Sequence, residues 1–509
     1  MNKKIKIKAI VIIFTVLMCF LIFNKILTKH ENDNNIELKT KTIFENISQS
    51  TNAKVDKYII YGTHFNIEGN IIIPKISDIS IYSVHVVAKN IDGKEEHLTC
   101  TYSYKDNILT FSTIDKINKG LALEKLEVSN YYLLLKVIFT NSEEKYYSFE
   151  NTQNYTNMTY YTIGKKNKVD LKFDTFEKQP FIGLFVSKLD SMPDNIYDIA
   201  IDASHGGNDS GAKNKKYTEA DIVLKYAKNI KQKLEESGYK VFLSRDGSEA
   251  PNQDLSDVYA DNGRINKIQD SHSKLLISLG INSSWSKNGG LEVYAPTMCD
   301  LDFASTLANN IVKTAKTTYS SSKLYKQSDG VYVRNFREFD ILSYKATAVL
   351  NKFEPYPITN LTPYQYMIRE VGGIATNAFV DGRNKSYGKN KYYDSNVGIE
   401  AYIIELGYMN VSKDLDNIVK NEELYTQAIV EAIKNYIEPR CIRKVTSSHV
   451  QIASQSHESK KLNLVAPEKS CDFSYAIKKL AVFIFNCMKT AIHFIIHYLI
   501  TQLFLDKSL

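Results

Sequence analysis

Tyr197 to Ala212 reads YDIAIDASHGGNDSGA, and the rest of the chain is arranged around this stretch. Asp198 to Asp202 is a short apolar run with an aspartate at each end, the pattern of a buried strand. The run leads to His205, in a loop that also carries Gly206, Gly207 and Gly211. Those glycines let the backbone turn tightly and come close to a ligand. A buried strand that stops at a histidine in a glycine loop is how open α/β sheets present a functional group at their carboxyl edge. The competing interpretation is a surface histidine on an ordinary turn, and His205 alone does not separate the two.

The segments that follow alternate between strand and helix patterns. Ala220 to Ser237 repeats apolar residues at helical spacing (Val223, Tyr226 or Ala227, Ile230, Leu234), with Thr218 as N-cap and Gly238 as stop. Tyr239 to Ser244, Lys274 to Leu279, Leu291 to Ala295 and Ala401 to Glu405 read as strands; Phe303 to Thr317 and Tyr425 to Tyr436 read as helices. This alternation predicts an α/β domain over residues 191–438, a sheet with helices on both faces. A long insertion, about 319–396, carries Arg334, Arg337, Arg369, Asp381 and Arg383, and long loops in compact domains tend to line sites.

The flanking segments differ in character. Residues 1–30 open with Lys3, Lys4, Lys6 and Lys8 and continue into an apolar run from Ala9 to Phe23. This reads as an N-terminal signal anchor and transmembrane segment rather than a cleaved signal, because no small-x-small site follows the run. Anchored so in the cell membrane, the main domains face the extracellular, cell-wall side. Residues 31–56 read as a polar tether. Residues 57–190 hold closely spaced runs rich in Ile, Val, Tyr and Thr, which predict a β-sandwich-like accessory domain. Among them are Tyr58–Tyr61, Ile79–Ala88, Leu98–Tyr104 and Tyr131–Phe139. After a linker at 439–472, the apolar stretch 480–505 is long enough to cross a bilayer. Lys489 inside it makes an interfacial helix the rival.

Composition narrows the function classes. The chain has 509 residues, 43% apolar, enough for two or three domains. The 64 basic residues against 57 acidic form no basic helix or aromatic-interleaved patch, so nucleic acid is not an expected partner. Six scattered cysteines without C-x-x-C spacing argue against a zinc ribbon or a disulfide framework. The loop after Asp202 has neither G-x-G-x-x-G nor a P-loop lysine, which disfavours a nucleotide binder.

His205, Glu219 in YTEADI, the strand end LLISLGIN and Glu405 in YIIELGYMN should all meet at one edge of the sheet. Imidazole and carboxylate suit zinc, and a second, unligated carboxylate can act as general base. In order, the matching pieces are IDASHGGNDSGA, TEADI, GYKVFLSRD, the stretch around Arg264, GLEVYAP, and IIELGYMN followed by Asp414. On these pieces roughly half of the chain resembles the zinc-dependent N-acetylmuramoyl-L-alanine amidases of the Amidase_3 type. The resemblance implies a phosphorylase/hydrolase-like mixed sheet with flanking helices. It implies cleavage in peptidoglycan of the amide between the lactyl group of MurNAc and the L-alanine of the stem peptide. It also implies His205 and Glu219 as Zn2+ ligands, with Glu405 activating the zinc water and protonating the leaving amine.

One position departs from the family. Its third ligand, a histidine two residues before Asn282, is Gly280 in this chain. His272 stands at the other end of the same strand, ~25 Å away at ~3.3 Å per residue, and His449, His457, His493 and His497 lie in the tail. Asp209 or a second water could complete the site. The sequence therefore leaves two outcomes: a wall hydrolase with an altered zinc site, or an impaired amidase-like protein that binds peptidoglycan or a protein partner. Asn282 and Arg369 are expected to contact substrate. Trp285, the only tryptophan, either stacks on a sugar face or packs internally.

Overall fold

The carboxyl edge that carries the site belongs to a seven-stranded mixed sheet. Its order is Val241–Leu243, Ile199–Ala203, Leu275–Asn282, Glu400–Tyr408, Glu292–Tyr294, Val331–Tyr332 and Lys326–Ser328. The first four strands run parallel, and Glu292–Tyr294 is antiparallel to Glu400–Tyr408. This is a computed structural model that describes residues 33–47, 51–75, 78–164, 167–247, 263–284, 288–351, 358–372 and 397–437, with positions 18 and 26. The segments expected at 1–30, 439–472 and 480–505 lie outside the described residues, apart from those two positions, as do Trp285, Asp381 and Arg383. Among the described residues no helix is long and apolar enough to cross a membrane.

Central parallel strands are buried on both faces, which is why they read as unbroken apolar runs. On one face Ile199, Ile201, Ile277 and Ile404 pack against Val223, Tyr226, Leu307, Ile311, Ile429 and Ile433. These last come from the helices Glu219–Glu236, Asp302–Ala315 and Glu422–Ile437. On the other face Ala200, Leu276 and Ala401 pack against Ile265 and Ile268 of the helix Arg264–Asp270 and against Met367, Ile368 and Val371. Thr218 caps its helix as expected, its side chain accepting from the Asp221 N–H at 3.2 Å. The insertion is not only loop: Lys326–Ser328 and Val331–Tyr332 extend the sheet, and Glu338–Asn351 is a helix. The two strands are too short to show a period in the sequence.

The upstream region supplies twelve strands of a thirteen-stranded sheet folded about its own core, and Val397–Gly398 supplies the thirteenth. Its two halves join where Ala53–Tyr61 pairs in parallel with Glu144–Glu150. The run Leu98–Tyr104, expected as one strand, breaks at Cys100. Glu95–Thr99 pairs with Ile81–Asn90, whereas Thr101–Lys105 pairs with Ile108–Ser112. The expected polar tether also needs correction. Residues 33–45 form a helix, and Ala53–Tyr61 is already strand. Ile43, Phe44 and Ile47 cover the outer face of the strand Asn130–Phe139 at Tyr132 and Leu134. Phe44 meets Tyr132 edge-on at 5.3 Å, and the Thr40 and Tyr132 hydroxyls are 3.0 Å apart. A single apolar stripe in a charged segment is a weak helical signal, and the packing supplies what the propensity does not.

The β-rich lobe is fastened to the strand that carries Glu405. Ile60 and Tyr61 pair in parallel with Val397 and Gly398, and the Gly62 N–H donates to the Gly398 carbonyl at 2.7 Å. The fully buried Tyr61 hydroxyl accepts from the Ala401 N–H at 3.3 Å. Asn118 and Lys119 hold the Asp300 loop, the latter through an ion pair of 2.5 Å. At the same seam lies Lys274, whose amine donates to the carbonyls of His272 (2.9 Å) and Tyr197 (3.4 Å) and lies over the Tyr160 ring.

Burial pushes the Lys274 ammonium down to about 8, against the pull of Asp198 and Glu124. In the unfolded chain it titrates near ~10.4, so between these values the unfolded state binds more protons and stability rises with pH. Urea unfolding of the natural chain and Lys274→Met should therefore diverge as pH climbs from about 8 to about 10. The natural chain should gain up to ~3 kcal/mol relative to the variant. A difference that stays flat across this window contradicts the assignment.

Candidate active site

The strand Ile199–Ala203 delivers His205 in a left-handed backbone conformation, φ 61°. A non-glycine residue held there costs on the order of 1–3 kcal/mol, which the surrounding contacts must offset. Gly211 makes the loop possible: a Cβ there would lie 2.6 Å from Glu219 Oε2 and 2.7 Å from the His205 ring. His205 Nδ1 donates to Asp209 Oδ2 at 2.7 Å, which turns Nε2 toward Glu219 Oε2, 3.3 Å away. Glu219 opens its helix and is fixed by two backbone donors, Ile281 N–H to Oε1 (2.8 Å) and Ala212 N–H to Oε2 (2.9 Å). Burial alone would depress the imidazole, but the contacts with Glu219 and then Asp209 outweigh it and raise the ring to about 9.

Gly280, Glu405 and Glu292 are register partners on three adjacent strands. Side chains directly opposite on paired strands share a face, so Glu405 projects between the other two. Its carboxylate lies over Gly280: a Cβ at 280 would be 2.8 Å from Oε2 and 3.0 Å from Oε1. Glu405 Oε2 is buried and has no hydrogen-bond partner. Burial, then the neighbouring Glu219 and Glu292, push its carboxyl up to about 8, with His205 opposing.

Glu292 is a residue that sequence reasoning missed. It is buried, and its carboxylate accepts from Ser320 and Tyr408 on Oε1 (both 2.6 Å) and from Tyr294 (2.8 Å) and Asn282 (3.0 Å) on Oε2. An acid between Leu291 and Val293 in a buried strand was the available signal. The role of Asp209 as the group that orients His205 was also missed; its place four residues on, in the same loop, was the clue. Further along the edge, Asp202 accepts from Arg264 Nη1 (2.8 and 2.9 Å) and from Ser278 (2.7 Å), and Arg264 Nη2 donates to the Tyr366 hydroxyl at 3.0 Å.

The structure thus brings His205, Glu219, Gly280 and Glu405 to one edge, with Asn282 beside them. Asn282 spends its amide on Glu292 and its Oδ1 on the Ser283 N–H. Arg369 is committed elsewhere. Its buried guanidinium pairs with Glu370 at 2.7 Å and donates to the carbonyls of Pro363 and Tyr364.

Residues 199–354 match the family model described as N-acetylmuramoyl-L-alanine amidase, Amidase_3. The match includes positions 205, 219 and 280 and ends before Glu405. Over those residues the α/β domain is similar to the N-acetylmuramoyl-L-alanine amidases. Similar solved structures include AmiC2 of Nostoc punctiforme (18% identity, 48% of this chain and 98% of that one, TM-score 0.30). Another is the catalytic domain of CwlV from Bacillus (Paenibacillus) polymyxa var. colistinus (16% identity, 48% and 99%, TM-score 0.31). The CwlD amidase from Clostridioides difficile, solved with the GerS lipoprotein, is a third (17% identity, 48% and 99%, TM-score 0.31). No curated protein matches significantly.

The family implies zinc, and a catalytic zinc takes three protein donors. His205 Nε2 and Glu219 Oε2 stand 3.3 Å apart, which suits two corners of a tetrahedron with bonds of ~2.0–2.1 Å. Gly280 offers no third donor, and no group of three His, Cys, Asp or Glu that could hold a metal ion exists among the described residues. The donor set fits two corners of such a site and not the third.

In metal-free protein the His205 ring should titrate near pH 9 by NMR, and Asp209→Asn should lower it only part of the way toward the ordinary ~6.5, because Glu219 still faces Nε2. A ring already neutral at pH 7 would contradict the described contacts.

Proposed function

We propose that this amidase-class protein engages peptidoglycan at the amide joining the MurNAc lactyl group to L-alanine, and binds that junction without efficient hydrolysis. The observation that carries this reading is Gly280, with the Glu405 carboxylate lying where a ligand side chain would start. The protonation states agree with it. In the metal-free site Glu405 keeps its proton at pH 7, so there it can donate to a carbonyl oxygen and is a poor acceptor of a proton from water. His205 is cationic and balanced by Asp209 and Glu219.

Hydrolysis by the family's Zn2+ chemistry, with Glu405 as general base, is the second reading. Glu405 itself favours it, because a buried carboxylate with an unpaired oxygen is costly to keep without use. That reading needs a third donor from outside the described residues. In either case the chain is held at the cell membrane by its N-terminal segment, with both lobes facing the wall. The lysine-led apolar run at 3–23 supports this placement. The helix at 33–45, docked on the β-rich lobe, leaves only a short link between that run and the folded protein.

The full chain, purified in detergent and mixed with insoluble peptidoglycan, should sediment with it and release few L-alanine-terminated peptides. Glu405→Gln should leave both results unchanged within about twofold. Failure to sediment would contradict the proposal. Ready release that falls on the order of 10²-fold or more in Glu405→Gln would establish the second reading instead.

A further inference from the structure

Arg334 follows the strand Val331–Tyr332 and is partly buried in the insertion. Its guanidinium stacks on the Tyr364 ring at 3.8 Å and faces the Tyr325 ring at 5.4 Å. The Tyr364 N–H donates to the Arg334 carbonyl at 2.9 Å, so the stack is built from two paired backbone segments. Arg334 Nε is buried and has no hydrogen-bond partner. Asp340, whose carboxylate feels the Arg334 charge, is already taken by Arg337 through bonds of 2.9 and 3.1 Å. Among the described residues no ion pair neutralises Arg334, whereas Arg264, Arg337 and Arg369 each have one.

A planar cation held against aromatic faces with donors unspent is a preorganised receptor for a carboxylate, which takes two parallel N–H bonds from guanidinium. Position narrows the ligand. Tyr332 pairs with Tyr294, and Tyr294 with Ile403, so Arg334 lies two strands across and about four residues along from Glu405. At ~4.8 Å per strand and ~3.3 Å per residue the separation is roughly 16 Å. An extended peptide of four or five residues spans about 14–17 Å.

We propose that Arg334, clamped by Tyr325 and Tyr364, binds the C-terminal carboxylate of the stem peptide whose first amide lies at Glu405. The inference rests on the peptidoglycan reading and adds the group that is recognised at the far end. It makes Arg334 a specificity-determining residue that reads the length and terminal charge of the stem.

Calorimetric titration of the full chain in detergent tests it with two probes: a synthetic stem tetrapeptide that begins with L-alanine, and the same peptide amidated at its C-terminus. The natural chain should bind the free acid about tenfold or more tightly than the amide. Arg334→Gln should erase that preference, and Arg334→Lys, which keeps the charge but not the planar fork, should retain only part of it. Arg334→Gln that still prefers the acid overturns the inference, as does a natural chain that sediments with peptidoglycan yet binds both peptides equally. If the chain neither sediments with peptidoglycan nor binds either peptide, the peptidoglycan reading and this inference both fall. Unchanged thermal unfolding of the variants separates a lost contact from a lost fold.

Discussion

Buried carboxylates at one edge of a sheet must be compensated, and this constraint organises the site. Asp202, Glu219, Glu292 and Glu405 crowd the carboxyl edge within four adjacent strands and one helix start. Asp202 has Arg264 and Ser278; Glu219 has His205 and two backbone donors; Glu292 has four side-chain donors. Only Glu405 retains an unpaired buried oxygen, and it answers by holding a proton. A donor side chain at position 280 would start beside the Glu405 carboxylate, 2.8 Å from its Oε2. With glycine there, the carboxylate folds over the bare backbone.

The second lobe takes part in this arrangement. Its first strand continues into hydrogen bonds with Val397 and Gly398, one turn of chain before the strand that presents Glu405, and Tyr61 is sealed against Ala401. The base of the catalytic-type strand is therefore set by the β-rich lobe as much as by the α/β core. Lys274, the Glu124 carboxylate and Tyr160 lie along the same seam, where buried charge and aromatic rings from both lobes meet.

Much of the α/β lobe was legible from periodicity alone, because its central strands are apolar on both faces and its helices carry clean stripes and caps. His205, Glu219 and Glu405 could be placed at one edge because each sits where a strand ends or a helix begins. Gly280 could be recognised as a missing donor, but not the consequence, since only cross-strand register puts Glu405 directly over it. The helix at 33–45 was hidden by its charged surface. Arg369 and Asn282 attracted attention as polar residues near motifs, yet both are consumed by local partners. Sequence gives residue type and spacing; it does not show which hydrogen bonds are already spent.

Zinc affinity tests the central claim most directly. The full chain and Gly280→His would be titrated with zinc against a chelating indicator. The histidine Cβ would arrive 2.8 Å from Glu405 Oε2, so the flexible carboxylate must swing aside to admit the new side chain. The account predicts one zinc per chain for Gly280→His and at least ~10–100-fold weaker binding for the natural sequence. A natural chain that binds one zinc as tightly as the variant would contradict it, because the site would then own a third donor.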